Sequence, residues 1–185
     1  MPPNWFLAFP LPPAAGWEGA AAGAPAGLRR FHAADLHLTL AFLGPCGEER
    51  ALAAWRAVAD LAGGPRRVSA AGWRALGPAA RPSAYGLTLA AGAEPLTALL
   101  GAWAPRALLA AGLPPERRSP LPHITLLRPR RAEAEQWREP MARWMAAAPL
   151  PAASAELTQL ALYTWAADRR ERLVQPVRQR PLIAE

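Results

Sequence analysis

Two short stretches share a pattern able to move protons. "LHLTLAFLG" (36–44) and "LPHITLLRP" (121–129) each set a histidine two residues before a threonine, with leucine next: His37-Leu38-Thr39-Leu40 and His123-Ile124-Thr125-Leu126. The chain has only three histidines and few threonines, so two copies at one offset are far from a chance arrangement. On a strand, side chains alternate between faces, which puts His37 with Thr39 and His123 with Thr125, and turns Leu38, Leu40, Ile124 and Leu126 to the other side. If the two strands border one cleft, it holds two imidazoles and two hydroxyls.

That set suits phosphodiester chemistry. A neutral imidazole takes a proton from an attacking water while a protonated one donates to the departing oxygen, and free histidine titrates near neutral pH. Threonine hydroxyls donate to non-bridging phosphate oxygens as charge develops. Arg128, five after His123, is placed to clamp a phosphate. Phe42 holds the same place after His37, where stacking on a nucleobase competes with core packing. A metal is not required. Asp35 and His37 offer two ligands, but neither motif adds a further His, Cys or carboxylate at ligand spacing, and His32 is expected in the loop ahead of the strand.

The surrounding elements must position these groups. At 185 residues the chain suits one core, and a single cysteine, Cys46, excludes a disulfide framework. No apolar run approaches a membrane span, and the proline-broken "MPPNWFLAFPLPP" lacks the basic start of a signal peptide, so a cytoplasmic protein with no membrane partner is expected. The net charge of +7 invites a polyanion, yet all 21 basic residues are Arg in a chain rich in Ala, Gly and Pro, a pattern that GC-rich coding also produces.

Periodicity and turn residues predict strands over 4–11, 36–43, 68–76, 83–89, 123–127, 156–163 and 172–177, with helices over 48–61, 95–111 and 133–145. Gly63-Gly64-Pro65 should end the first helix, Pro105 should kink or split the second, and Pro140 falls inside the third. A Gly- and Ala-rich segment up to Leu28 reads at most as a loose helix, and 112–122 as a loop. The motif strands lie nearly half the chain apart, which predicts an α+β protein with internal pseudo-symmetry.

"HLTLAFLG" and "PHITLLRP", with their Phe-Leu-Gly and Arg extensions, resemble the paired motifs of the 2H phosphoesterase superfamily, in particular its RNA 2′,3′-cyclic phosphodiesterases, also called 2′-5′ RNA ligases or LigT-like proteins. A first apolar strand, "PSAYGLTL" and a late "LALYTW" extend the resemblance along most of the chain. It implies a bilobal, pseudo-two-fold α+β fold. Antiparallel sheets line a central cleft, helices pack outside, and a single domain of two lobes contributes one motif each (36–43 and 122–128). It implies a metal-independent enzyme without cofactor that opens 2′,3′-cyclic phosphate ends of RNA to 2′-phosphates. Some family members also join tRNA halves through a 2′-5′ linkage. Carried over, His37 and His123 form the acid/base pair, with His123 read as base and His37 as acid. Thr39 and Thr125 hold the phosphate, and Arg128 matches the family's arginine. The expected partner is RNA with cyclic ends, the protein acting as a monomer. A cyclic phosphodiesterase for a small nucleotide such as ADP-ribose cyclic phosphate, and a non-catalytic RNA-binding module, are the competing readings.

Overall fold

The computed structural model describes residues 2–61, 66–152 and 154–182. The chain runs through β1 (Trp5–Pro10), β2 (Arg29–Arg30), β3 (His37–Gly44), α1 (Glu48–Ala57), β4 (Arg66–Val68), β5 (Ala70–Leu76) and β6 (Ala84–Leu89). It continues through α2 (Ala93–Ala110), β7 (His123–Arg128), α3 (Arg138–Met145), β8 (Ala155–Leu157), β9 (Gln159–Trp165) and β10 (Val174–Pro181). Eight strands form one antiparallel sheet in the order β10-β9-β1-β3-β7-β6-β5, with β2 beside β7. The architecture is the expected α+β one.

The two motif strands sit side by side at the centre of this sheet, yet they share one backbone pair, Leu38 with Ile124. Both side chains are fully buried, on the face where α2 packs against β3 and where Leu7, Phe9, Leu87, Leu96 and Leu100 complete the core. Burying apolar strand faces against helices is the chief stabilising term, about 25 cal/mol per Å² removed from water. The other face of β3 and β7 is left half-buried: His37, Thr39, His123 and Thr125 alternate there with the core residues.

Several boundaries differ from those expected. The segment 68–76 is two strands, because the backbone at Ser69 leaves the β4-β8 pair and bonds instead to Ala90 and Ala91 before β5 begins. In the same way 156–163 divides at Thr158, whose carbonyl accepts from Leu182, so β8 pairs with β4 while β9 joins the large sheet. The last strand starts at Val174 rather than Arg172, since Arg172 and Leu173 are engaged by Asp35.

Pro105 does not split α2. It and Gly101, the residue whose carbonyl it deprives of a donor, both lie on the exposed side, where water replaces the missing bond. Nor is Pro140 inside a helix spanning 133–145: a 3₁₀ turn over Arg131–Glu133 precedes α3, and Pro140 occupies its first turn, where an N–H has no intrahelical partner. The segment before Leu28 forms two 3₁₀ turns, Pro13–Ala15 and Trp17–Ala21, with Trp17 buried. The Gly63-Gly64-Pro65 stop lies outside the described residues.

Gly86 on β6 lets that strand press against the second motif. A Cβ there would meet the Ile124 carbonyl inside contact distance and lie 3.1 Å from Thr125 Cα. Gly86→Ala should therefore displace β7 and lower stability by at least about 2 kcal/mol in urea unfolding. Gly72→Ala, with nothing within 4 Å of the new methyl, should shift the midpoint little, and equal effects would rule out the close approach as the cause.

Candidate active site

Strict alternation along β3 and β7 places the histidines and threonines on the open face, but it would turn Phe42 and Arg128 into the core. Neither goes there. On β3, Ala8 pairs with Thr39 and Leu7 with Ala41, so Leu40 is an extra residue. On β7, Gly86 pairs with Thr125 and Tyr85 with Leu127, so Leu126 is extra. Each motif thus carries a β-bulge three residues after its histidine, and each bulge residue is buried. A bulge resets the alternation and bends the strand. Phe42, 59 % exposed, and Arg128 consequently return to the face of their histidines.

The Leu38–Ile124 pair also fixes how the motifs meet. In that antiparallel register His37 comes opposite Thr125 and Thr39 opposite His123. Neither of these flanking combinations is itself paired, so the two strands part on either side of Leu38–Ile124. Neither threonine hydroxyl makes a hydrogen bond among the described residues, so both are available to a ligand.

Both rings are oriented in the same way. His37 Nδ1 lies 2.6 Å from the Asp35 carbonyl oxygen, and His123 Nδ1 lies 2.7 Å from that of Leu121. A carbonyl only accepts, so Nδ1 carries the hydrogen in each ring and Nε2 is the atom that exchanges a proton. A backbone acceptor two residues upstream therefore settles the tautomer in both motifs.

Their surroundings differ. The His37 ring lies 4.7 Å from Phe6 and 5.6 Å from Tyr163, centroid to centroid, with Phe6 and Tyr163 stacked at 5.1 Å. Burial among these rings holds the His37 pKa down to about 4, opposed by the Asp35 carbonyl and carboxylate, while His123 and Arg128 act in the same direction as burial. Burial also raises the Tyr163 hydroxyl to about 12, keeping it a neutral donor at physiological pH.

Asp35, 1 % exposed, does not serve as a ligand. Its carboxylate accepts from Arg172 Nε at 3.1 Å and from the Leu173 backbone N–H at 2.7 Å, while Arg172 also donates to the Ala34 carbonyl. Losing Arg172 would leave the buried Asp35 carboxylate without its cation, a change that typically costs about 3–5 kcal/mol. His32 caps the 3₁₀ turn Ala33–Asp35, its Nδ1 accepting from the Ala34 N–H at 3.1 Å. Among the described residues no three His, Cys, Asp or Glu side chains gather at metal-ligand spacing. Sequence reasoning missed Phe6, Tyr163 and the Asp35–Arg172 clamp. The "LALYTW" strand contained Tyr163, but nothing along the chain signals contacts to residues so far away in sequence.

No protein-family model and no curated protein matches the sequence. Solved structures do. A phosphoesterase aligns over 99 % of both chains at 24 % identity and a TM-score of 0.72. LigT of E. coli complexed with 3′-AMP aligns over 98 % of this chain and 99 % of its own at 24 % identity, TM-score 0.71. A Thermus thermophilus protein follows at 23 % identity and TM-score 0.65, over 98 % and 99 % of the two chains. These likenesses establish the fold: a LigT-like 2H phosphoesterase fold, the class that the paired motifs led us to expect.

The depressed His37 pKa has a measurable consequence. Between about 4 and 6.5 the unfolded chain binds a proton at this residue that the folded chain does not, so stability falls as pH is lowered through that window. The loss is at most about 3 kcal/mol. His37→Gln should bring the urea midpoints at pH 7 and pH 4.5 closer together than in the unaltered protein. An unchanged gap would mean that His37 titrates as it does in water.

Proposed function

We propose that the chain is a metal-independent RNA 2′,3′-cyclic phosphodiesterase that leaves a 2′-phosphomonoester. One observation supports this: the two motif strands are neighbours joined at Leu38–Ile124, and their histidines and threonines lie on the one half-buried face of the sheet with both Nδ1 atoms held by backbone carbonyls. A binding module has no need of paired proton carriers whose tautomers are fixed alike.

In this reading the cyclic phosphate sits between the motif strands, with Thr39 and Thr125 donating to its non-bridging oxygens. Water attacks phosphorus, one imidazole Nε2 takes its proton, the P–O3′ bond breaks, and the other imidazole's Nε2–H protonates O3′. One Nε2 of the pair must carry a proton at the start. Burial disfavours charge on His37. We therefore read His37 as the base and His123 as the acid, the reverse of the order taken from the family resemblance. Exchange with solvent then returns the proton to His123. A 5′-hydroxyl seated in place of water yields a 2′-5′ linkage by the same transfer. Arg128 and Phe42 hold the rest of the nucleotide chain at the rim.

An oligonucleotide ending in 2′,3′-cyclic phosphate should be hydrolysed in excess chelator to a 2′-phosphate, and His37→Ala and His123→Ala should each lower kcat by about 10²-fold or more. Full turnover in either variant would sink the proposal, as would a 3′-phosphate product. A substrate with sulfur in place of O3′ needs little help to leave. It should rescue His123→Ala and not His37→Ala, and the opposite pattern would reverse the two roles.

A further inference from the structure

Three guanidinium groups converge beside the rim of the cleft. Arg29 on β2 pairs through its backbone with Arg128 on β7. The Arg29 side chain reaches across to donate to the Arg169 carbonyl in the loop between β9 and β10. Arg169 itself stacks on Trp165, 4.1 Å from the ring centroid, and Arg128 stands over Phe31 at 5.6 Å. Among the described residues none of the three forms an ion pair with a carboxylate. The nearest candidates are otherwise engaged: Asp35 by Arg172, and Asp168 by the Arg170 backbone N–H.

Like charges held together without a counter-ion raise each other's energy. Arg128 has its pKa lowered by burial and then by Arg169 and Arg29, and Arg29 has its own lowered by burial and then by Arg169, with Asp35 opposing these two on Arg29. Other exposed arginines have acidic partners, as Arg106 has Asp60 and Arg130 has Glu133. Here a strand pair, a hydrogen bond from the Arg29 side chain to the Arg169 carbonyl and two aromatic supports keep three cations together. A depression of about 560 Å³ lined by Gly27, Leu28, Arg29, Arg128, Pro129 and Arg130 opens beside them.

The position is as informative as the charge. Because of the bulge at Leu126, Arg128 faces the same side of β7 as Thr125. About 10 Å of strand separates those two residues. The cluster therefore lies on the motif face, one step along the strand from the histidine–threonine positions, a spacing suited to the next phosphate of a chain already seated there.

We infer that Arg29, Arg128 and Arg169 form a second phosphate subsite, which binds an internal phosphodiester of the RNA strand whose cyclic end occupies the histidine cleft. This rests on the phosphodiesterase reading above, and it adds that the substrate is a polymer rather than a lone nucleotide. Planar guanidinium forks suit a phosphodiester, and cations free of carboxylate partners gain most from an incoming anion. The pyrophosphate of a small nucleotide such as ADP-ribose cyclic phosphate has similar chemistry, and the test separates the two sources.

Three substrates are compared in chelator: uridine 2′,3′-cyclic phosphate, a uridine trinucleotide with the same cyclic end and no 5′-phosphate, and ADP-ribose cyclic phosphate. The protein should favour the trinucleotide over the mononucleotide in kcat/KM. Arg169→Ala and Arg29→Ala should each reduce that preference about tenfold, as expected for loss of one charged contact. The salt dependence of trinucleotide KM should flatten in both. Arg169→Ala removes no hydrogen bond made by that side chain, so it remains informative if Arg29→Ala unfolds the loop. An unchanged trinucleotide-to-mononucleotide ratio in Arg169→Ala overturns the subsite. A loss confined to ADP-ribose cyclic phosphate overturns its assignment to RNA. If the unaltered protein turns over none of the three, the phosphodiesterase reading fails. The subsite is then judged by anisotropy with a labelled trinucleotide ending in 2′-phosphate: weakened binding in Arg169→Ala supports it, and equal binding overturns it.

Discussion

The central constraint on this molecule is that two motif strands must touch at one residue pair and separate on either side of it. Leu38 and Ile124 provide that contact, fully buried against the helical layer. A longer ladder would pair His37 with Thr125 and Thr39 with His123, whereas the single pair leaves these four positions, on the open face, unpaired across the β3–β7 boundary. The bulges at Leu40 and Leu126 fit this parting, since each bends its strand just beyond the threonine while a buried leucine holds the bend in the core. The packing of each strand and the direction of the side chains beyond its threonine are set by the same buried leucine.

Because each bulge also resets the alternation, the strands deliver a fifth residue to the cleft that strict pleating would bury. The two halves use it differently. Around His37 the neighbours are rings: Phe6, Tyr163 and, at the rim, Phe42. Around Arg128 they are cations, Arg29 and Arg169. Apolar rings beside His37 disfavour its charged form, and among the described residues no aromatic ring stacks on His123. Two imidazoles with matching backbone acceptors are thereby made unequal by what packs beside them.

The sequence made the strongest periodic features legible. Repetition identified the two motif strands, and alternation placed His37, Thr39, His123 and Thr125 on one open face with Leu38 and Ile124 behind them. What it left out depended on partners distant along the chain. A bulge is a mismatch between two strands, so Leu40 and Leu126 look like ordinary strand residues until β1 and β6 are aligned with them. The same holds for Ser69 and Thr158, where a strand changes partner. Pro105 misled because its cost depends on whether the freed Gly101 carbonyl meets water, and exposure is a tertiary property. Asp35 next to a motif histidine suggested a ligand, but Arg172, far away in sequence, neutralises it instead.

Arginine content was the least readable signal, because a chain whose every basic residue is Arg gives no contrast between functional and incidental cations. The fold supplies the contrast through pairing. Arg172 satisfies a buried carboxylate, Arg50 donates to the Ala111 and Gly112 carbonyls at the end of α2, and Arg106 faces Asp60. Each of these has an internal task that would persist with no ligand present. Arg29, Arg128 and Arg169 make no ion pair with a carboxylate among the described residues, and the latter two rest on Phe31 and Trp165. Structural arginines lower the energy of the folded chain by finding acceptors, whereas these three raise one another's energy, and that difference in pairing sets them apart from the other arginines of the chain.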